Sequence, residues 1–390
     1  MSAAAGWTVE TVRGLADIPA AAWDACAGAE PGGVPPNPFV SHAFLHALER
    51  AGCVGGRSGW APAHQIVRGT DGSLIAAAPA YVKSHSLGEY VFDHAWAEAL
   101  ERAGGQYYPK IQVAVPFTPA SGPRLMVRSG LAPLPARMAL LDGLEALRAR
   151  IGGSSIHATF LPEDEAESFA ARDYLLRSDR QFHWTDENFG SFEGFLAALS
   201  SRKRKMIRRE RKEALASGLT VRWLTGAAIT EADWDAFFAF YMNTGSRKWG
   251  RPYLNRRFFS LIGQSMAERI VLILACRGER PVAGAINFIG RDALFGRNWG
   301  AIEEQPFLHF EICYYQAMDF ALAHGLKRIE AGAQGEHKLM RGYRPVLTRS
   351  AHALVHQGLR RAVADYLRRE QDHIAAEKIE LDNLAPFRRA

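Results

Sequence analysis

Cysteine is scarce in this chain: four in 390 residues (Cys26, Cys53, Cys276, Cys313), with no CxxC pair. That spacing argues against a disulfide framework or a cysteine-held zinc and fits free thiols in a reducing cytosol. Long apolar runs are missing as well. VLILAC, residues 271–276, is only strand-sized, so no segment is expected to span a membrane. The opening MSAAAGWTVE has no basic stretch and no apolar stretch, so no signal peptide is expected and the expected compartment is the cytoplasm. A general excess of one charge is absent too. The chain carries 47 Lys+Arg against 41 Asp+Glu, a net of +6, and residues 202–213 alone account for it. The remainder is close to neutral, which excludes a surface coated with positive charge for nucleic acid. What is present is a 48% hydrophobic, 11% aromatic composition, that of a packed globular protein, at a length that suits two domains.

Along the chain, PGGVPPNP (31–38) reads as a loop and SHAFLHALERAG as a helix capped by Ser41. HQIVRGTDGSLIAAAPAYVKS reads as a hairpin about Asp71-Gly72. EYVFDHAW and IQVAVPFTP follow as strands, then a helix over about 135–150 and the strand SIHATFLP. The second half repeats this order. A hairpin in IVLILACRGERPVAGAINFIG precedes the strand ALFGRNWG, a helix from about 306 to 324 and the strand KRIEAG. Trp96 and Trp299 close the third strand of each half. The pattern predicts an internal duplication of mixed α/β (α+β) character: domains 1–185 and 186–390, with the boundary near Trp184 to Gly190.

The charge sits in LSSRKRKMIRRERKEAL, eight Lys and Arg in eleven positions. With Ser191 as N-cap and Gly218 as stop, the segment predicts one helix over about 192–217. Phe192, Phe195, Leu196, Leu199, Met206, Ile207 and Ala214 share one arc, and Arg204, Lys205, Arg208, Arg209, Arg211 and Lys212 lie opposite. Lys203 and Glu210 fall inside the apolar arc. A buried unpaired charge is costly, so each requires a partner or a wet cleft. The cationic side is either a solvated face or a phosphate-binding one.

A second cluster, GAQGEHKLMRGYRP (332–345), follows KRIEAG. Its glycines let the backbone approach a ligand, Glu336 and His337 are adjacent titratable groups, and Lys338, Arg341 and Arg344 recur every three residues. The competing reading is a tight turn with surface charges. His309 and Glu311 have HxE spacing but lack the partners of a metal site, so no metal is expected.

These stretches, with FDHAWAEA and YYPKIQVAVPFTPASGPR in the first half, resemble the FemAB-like peptidoglycan biosynthesis/recognition family, which is grouped with GNAT N-acyltransferases. The resemblance covers about 37–366. It implies two tandem GNAT-like domains and acyl transfer to an amine. Better-understood relatives, the Fem aminoacyltransferases, take the acyl group from aminoacyl-tRNA and extend a peptidoglycan precursor. Acetyl-CoA enzymes of this fold hold the CoA pyrophosphate on a Q/RxxGxG/A loop. The matching junction here, NWGAIEEQPFLHFE, has one glycine and three carboxylates (Glu303, Glu304, Glu311), which compete with a diphosphate. The expectation is therefore an acyl or aminoacyl transferase with no tightly bound cofactor. Its donor is a co-substrate, aminoacyl-tRNA or an acyl thioester such as acyl-CoA, and its acceptor a small-molecule or peptide amine. Residues 202–212 are the candidate tRNA contact.

Expected catalytic residues are Glu336, His337 and Tyr343. Expected substrate-binding residues are Lys203, Lys338, Arg341 and Arg208, with Asp93, His94, Tyr108 and Lys110 on the acceptor side. Lys203 and the 336–338 run are expected to share a cleft between the domains. The rival expectation is a non-catalytic binder of a phosphate-bearing ligand or RNA on the same fold.

Overall fold

The structure, a computed structural model, describes residues 6–249, 252–332, 335–384 and 386–388; the side chains of 246–249 and 336 lie outside that description. The chain divides into two compact units: residues 1–179 with 347–376, and residues 180–346 with 377–390. The sequence reading cuts once at 185; here the segment 347–376 packs back with the first unit.

In unit 1 the strands are β1 (Thr8–Val12), β2 (Trp60–Pro62), β3 (His64–Arg68), β4 (Leu74–Ala78), β5 (Ala80–Lys83), β6 (Lys110–Val113), β7 (Met126–Val127) and β8 (Ser155–Leu161). One antiparallel sheet runs β1-β3-β4-β7. The Asp71-Gly72 turn joins β3 to β4, with Gly72 in the left-handed region at φ +77°. A second array pairs β2, β5 and β6 antiparallel, then β6 with β8 in parallel. The helix Pro133–Ile151 makes the crossover that a parallel pair requires. It buries Leu140, Leu141, Leu144 and Leu147 in a core with Ile111, Val113 and Ile156. EYVFDHAW is not a strand. Asp93 begins the helix His94–Arg102, because HAWAEALER is rich in Ala, Leu and Glu, so Trp96 closes no strand.

Unit 2 repeats the parallel unit. Its strands are β9 (Leu175–Thr185, entering from unit 1), β10 (Thr220–Thr225), β11 (Ile270–Arg277), β12 (Arg280–Ile289), β13 (Ala293–Ala301) and β14 (Arg328–Glu330); β15 (Arg344–Leu354) then carries the chain back to unit 1, where it pairs with β8. β10 to β13 form an antiparallel meander, β13 and β14 are parallel, and β14 pairs antiparallel with β9. The crossover helix from β13 to β14 is apolar nearly all round and buries Leu308, Ile312, Tyr314, Tyr315, Met318 and Phe320. It starts at Leu308, continues through a π-turn at Glu311–Tyr315 and ends at Ala323.

The basic segment is two helices rather than one, Phe192–Ala198 and Ser201–Leu215. Ser191 caps the first through the Gly194 N–H (3.1 Å). Leu199 and Ser200 are extended (ψ 156° and 149°) because the C-terminal segment takes their backbone bonds. Ser200 N–H donates to the Pro386 carbonyl (2.9 Å), and Arg388 N–H to that of Ala198 (3.0 Å). No helix among the described residues is long and apolar enough to cross a membrane.

Candidate active site

In unit 2 the parallel strands β13 and β14 pair only over Ala293–Phe295 with Arg328–Glu330, then part at Gly296. Parting parallel strands at their carboxyl ends is where α/β sheets present backbone and side chains to ligands. Three segments surround this point. Beyond β13, Phe307 turns the chain in the left-handed region (φ +60°) into the crossover helix. The π-turn adds a residue to that helix, and both Tyr314 and Tyr315 are buried within it. The third segment is the 3-10 helix Glu336–Arg341, bracketed by Gly335 (φ +120°) and Gly342 (φ +87°). A Cβ on Gly335 would meet the His337 ring at 2.6 Å, so glycine there lets the imidazole fold against the backbone.

His337 is exposed, and its Nε2 lies 2.8 Å from the Tyr314 hydroxyl. Burial pushes Tyr314 upward, so the hydroxyl stays protonated and orients the ring. The His309 ring is 4.6 Å from Trp299 and 6.2 Å from His337, which lines the approach with aromatic faces. Lys338 is 1% exposed and its Nζ donates to the Gly332 carbonyl (2.9 Å). Burial lowers its pKa to about 8, so at neutral pH it is still mostly a charged donor, with little water around it. Burial likewise takes His183, beside the end of β14, down to about 3, with Arg328 and Lys338 adding to the effect.

Glu210, the carboxylate in the apolar arc, has its partner. It accepts from Arg341 Nε (3.0 Å) and Nη2 (2.7 Å) and from the Tyr315 hydroxyl. Arg341 also donates to the His337 carbonyl (2.8 Å), and its guanidinium lies 3.4 Å from the centre of the Phe310 ring. It is 5% exposed, so it clamps the turn instead of reaching for a ligand, contrary to the sequence expectation. Lys203 is half-buried within electrostatic range of Glu210 and Arg341, and burial, Arg202 and Arg341 lower its pKa. Arg211 is bidentate to buried Glu311 (2.9 and 3.1 Å) and pairs with Asp319 (2.7 Å). Glu311 is therefore engaged, and Glu303 pairs with Arg277 and Arg280. The basic helix is tied by Glu210 and Arg211 to the 336–341 turn and the crossover helix.

Two further expectations change. Tyr343 is fully buried, its hydroxyl makes no hydrogen bond among the described residues, and burial pushes its pKa far up, so it presents nothing to a substrate. Arg208 is exposed and paired with Glu193 (2.5 Å). The Glu336 side chain, with Ala333 and Gln334, lies outside the described residues. No group of three or more metal-ligating side chains occurs among the described residues.

Unit 1 assembles a different cluster. Lys83 and Lys110 are cross-strand partners on β5 and β6, both fully buried. The segment 84–93 neutralises them: Lys110 donates to Ser86 (2.8 Å), Glu89 (2.7 Å) and Asp93 (2.5 Å), and Lys83 lies 3.5 Å from Glu89. Burial drops Lys83 to about 7, with its ammonium 3.9 Å from the centre of the Trp60 ring. Burial raises Asp93, but Lys110 and His157 outweigh it and hold the carboxyl below the usual range. Tyr107 bridges Asp93 (2.7 Å) to His157 (3.2 Å), and His157 Nδ1 meets His352 Nδ1 at 2.8 Å. Tyr108 joins through Ser86 (2.8 Å). Of the four acceptor-side candidates, Asp93, Tyr108 and Lys110 come together, whereas His94 is exposed and stacks on Phe92. Sequence reasoning missed Lys83, Glu89, Tyr107, His157 and His352. Lys83, His157 and His352 stand on β5, β8 and β15, and Glu89 and Tyr107 in the loops before the helix His94–Arg102 and before β6, so no single motif marks them.

The architecture is that of tandem GNAT-like domains. FemX has a similar structure at 13% identity and TM-score 0.53, over 89% of this chain and 98% of that one. A tandem GNAT protein from the clavulanic acid biosynthesis pathway (11% identity, TM-score 0.45, 89% and 98%) and L-PGS from Bacillus licheniformis (9%, 0.49, 88% and 96%) are more distant. No curated protein matches in sequence. Residues 14–389 match the FemAB-like family of peptidoglycan biosynthesis/recognition, and the chain belongs to that family.

Proposed function

We propose that the chain is a cytoplasmic transferase moving an aminoacyl or acyl group from an activated donor to an amine, with unit 2 carrying the chemistry. The observation that carries this reading is the parting of β13 and β14 beside His337 and Lys338. An acyl carbonyl placed there meets an imidazole oriented by Tyr314 and a desolvated ammonium. His337 takes the proton of the attacking amine, and Lys338 opposes the negative charge on the carbonyl oxygen. Aminoacyl-tRNA is the favoured donor. Arg202, Arg204, Lys205 and Lys212 make no ion pair among the described residues and stand on a helix fastened to the site, a placement suited to the phosphates of an acceptor stem. The family's description, peptidoglycan biosynthesis/recognition, supports a peptidoglycan precursor as the molecule that bears the acceptor amine.

The test is transfer of labelled amino acids from a charged tRNA pool, and in parallel of acetyl from acetyl-CoA, to amine-bearing muropeptides, read by mass spectrometry. Transfer is expected from the tRNA pool, with His337→Ala and Lys338→Met each losing most of kcat while melting like wild type. Replacing Arg202, Arg204 and Lys205 together by Ala should raise KM for the charged tRNA and flatten its salt dependence. Absence of transfer from both donors, or full activity in both single variants, overturns the reading. Tight binding of a muropeptide or RNA without turnover would establish the rival, a binding protein.

A further inference from the structure

One buried amide in unit 2 has a donor without a partner among the described residues. Asn287 is 1% exposed, and its Nδ2 makes no hydrogen bond to any of them. It interrupts the apolar strand RPVAGAINFI on the face it shares with Ala285, which belongs to the core packed on the crossover helix. A buried amide left without acceptors costs about 1–3 kcal/mol, and leucine would fill the same space without that penalty. Its position is specific. The β12–β13 register shifts between Ile286 and Asn287, which sets Asn287 opposite Gly296, where β13 leaves β14. A Cβ on Gly296 would lie 3.2 Å from Asn287 Oδ1 and 3.6 Å from the Ala331 Cα. Lys338 reaches the same stretch through its bond to the Gly332 carbonyl, one residue beyond Ala331. It makes no ion pair with a carboxylate among the described residues. Asn287, across Gly296 from Ala331, and Lys338, bonded at Gly332, thus both stand near the end of β14 with donor capacity in reserve among the described residues.

We propose that Asn287 is a catalytic residue, donating its amide N–H to the acyl carbonyl oxygen as that oxygen becomes an oxyanion. The proposal rests on the transferase reading above. The acceptor's amine nitrogen attacks the carbonyl carbon, the C–N bond forms and the C=O π pair moves to oxygen, where Asn287 and Lys338 hold it. The amine proton passes to His337. Re-forming the C=O bond breaks the bond to the leaving oxygen, or sulfur in a thioester. That atom departs with the bonding pair and takes a proton from His337. Donors that face the oxygen only in the transition state raise kcat without tightening ground-state binding.

The test is Asn287→Leu, close in volume, in the same transfer assay and in thermal melts of the ligand-free protein. The expected result is a kcat reduced about a hundredfold or more, KM within about threefold, and a melting temperature equal to or above wild type. An unchanged kcat overturns the proposal. So does a clear drop in melting temperature, because it would mean that the amide is satisfied inside the fold. A wild type that transfers nothing defeats the transferase reading and this proposal with it. Wild-type transfer with an equally active N287L defeats only the assignment of Asn287.

Discussion

Removing the Glu210 carboxylate probes the joint between the basic helix and the 336–341 turn. Glu210→Ala deletes two charge-assisted bonds from Arg341 (2.7 and 3.0 Å) and the acceptor of the Tyr315 hydroxyl. Arg341 stays 5% exposed, holding only the His337 carbonyl, the Tyr315 oxygen and the Phe310 ring face. A guanidinium stranded in this way costs about 3–5 kcal/mol, roughly two to three and a half decades in the local equilibrium. The two units need not melt together, so the assay is hydrogen exchange across a denaturant series, read on peptides covering 201–215 and 311–323. Both should open earlier by that amount, and the peptide covering 335–343 should lose protection even without denaturant, since Arg341 holds the His337 carbonyl. The double variant Glu210→Met with Arg341→Met should recover most of the loss, because no charge is then buried. A loss under about 1 kcal/mol, or a double variant no better than the single, would refute the reasoning.

Three further outcomes follow from the same geometry. His157 and His352 are buried and neutral, the first brought down to about 3 by burial and Lys110, the second also lowered by burial. Between about pH 6.5, the unfolded value, and pH 3 the unfolded chain binds protons that the fold refuses, so stability falls as pH falls through that window; melts from pH 7 to 4.5 should show it, with a shallower slope in His352→Gln. Glu89→Gln leaves the opposed Lys83 and Lys110 with only Asp93 and should destabilise unit 1 by about 3 kcal/mol or more, with Lys83→Met in the same chain restoring part of it, as denaturant titration would reveal. Phe387→Ala removes a half-buried ring from the segment that pairs with residues 198–200; about 1–2 kcal/mol and faster exchange of the Ser200 amide are expected, and unchanged exchange there would refute the role given to that segment.

Much of this protein is local and therefore legible in its sequence. Continuous apolar runs mark β11 and β12, a period-two run marks β8, and turn residues mark the Asp71-Gly72 hairpin and the Gly335 and Gly342 brackets. Hydroxyl caps mark the helix starts at Ser41 and Ser191. Even the need for a partner at Glu210 follows from one helical wheel, because helix periodicity and the penalty of a buried charge are short-range facts. The family pattern adds the tandem fold. Which partner each charge takes is not local. Arg341 and Glu210 are 131 residues apart, Lys110 and Asp93 meet across a helix and a loop, and His157 finds His352 at a separation of 195. The break at Leu199 is made by residues 386–388, so the continuous apolar arc could not show it. Tyr343 and Arg341, read as available donors from a glycine-rich motif, are buried because the turn folds inward onto the crossover helix. Asn287 acquires its meaning only where three strands and a bulge bring it to the parting of β13 and β14. Sequence sets what each segment prefers, and burial and partnership, which decide charge state and access, exist only once distant segments share a core.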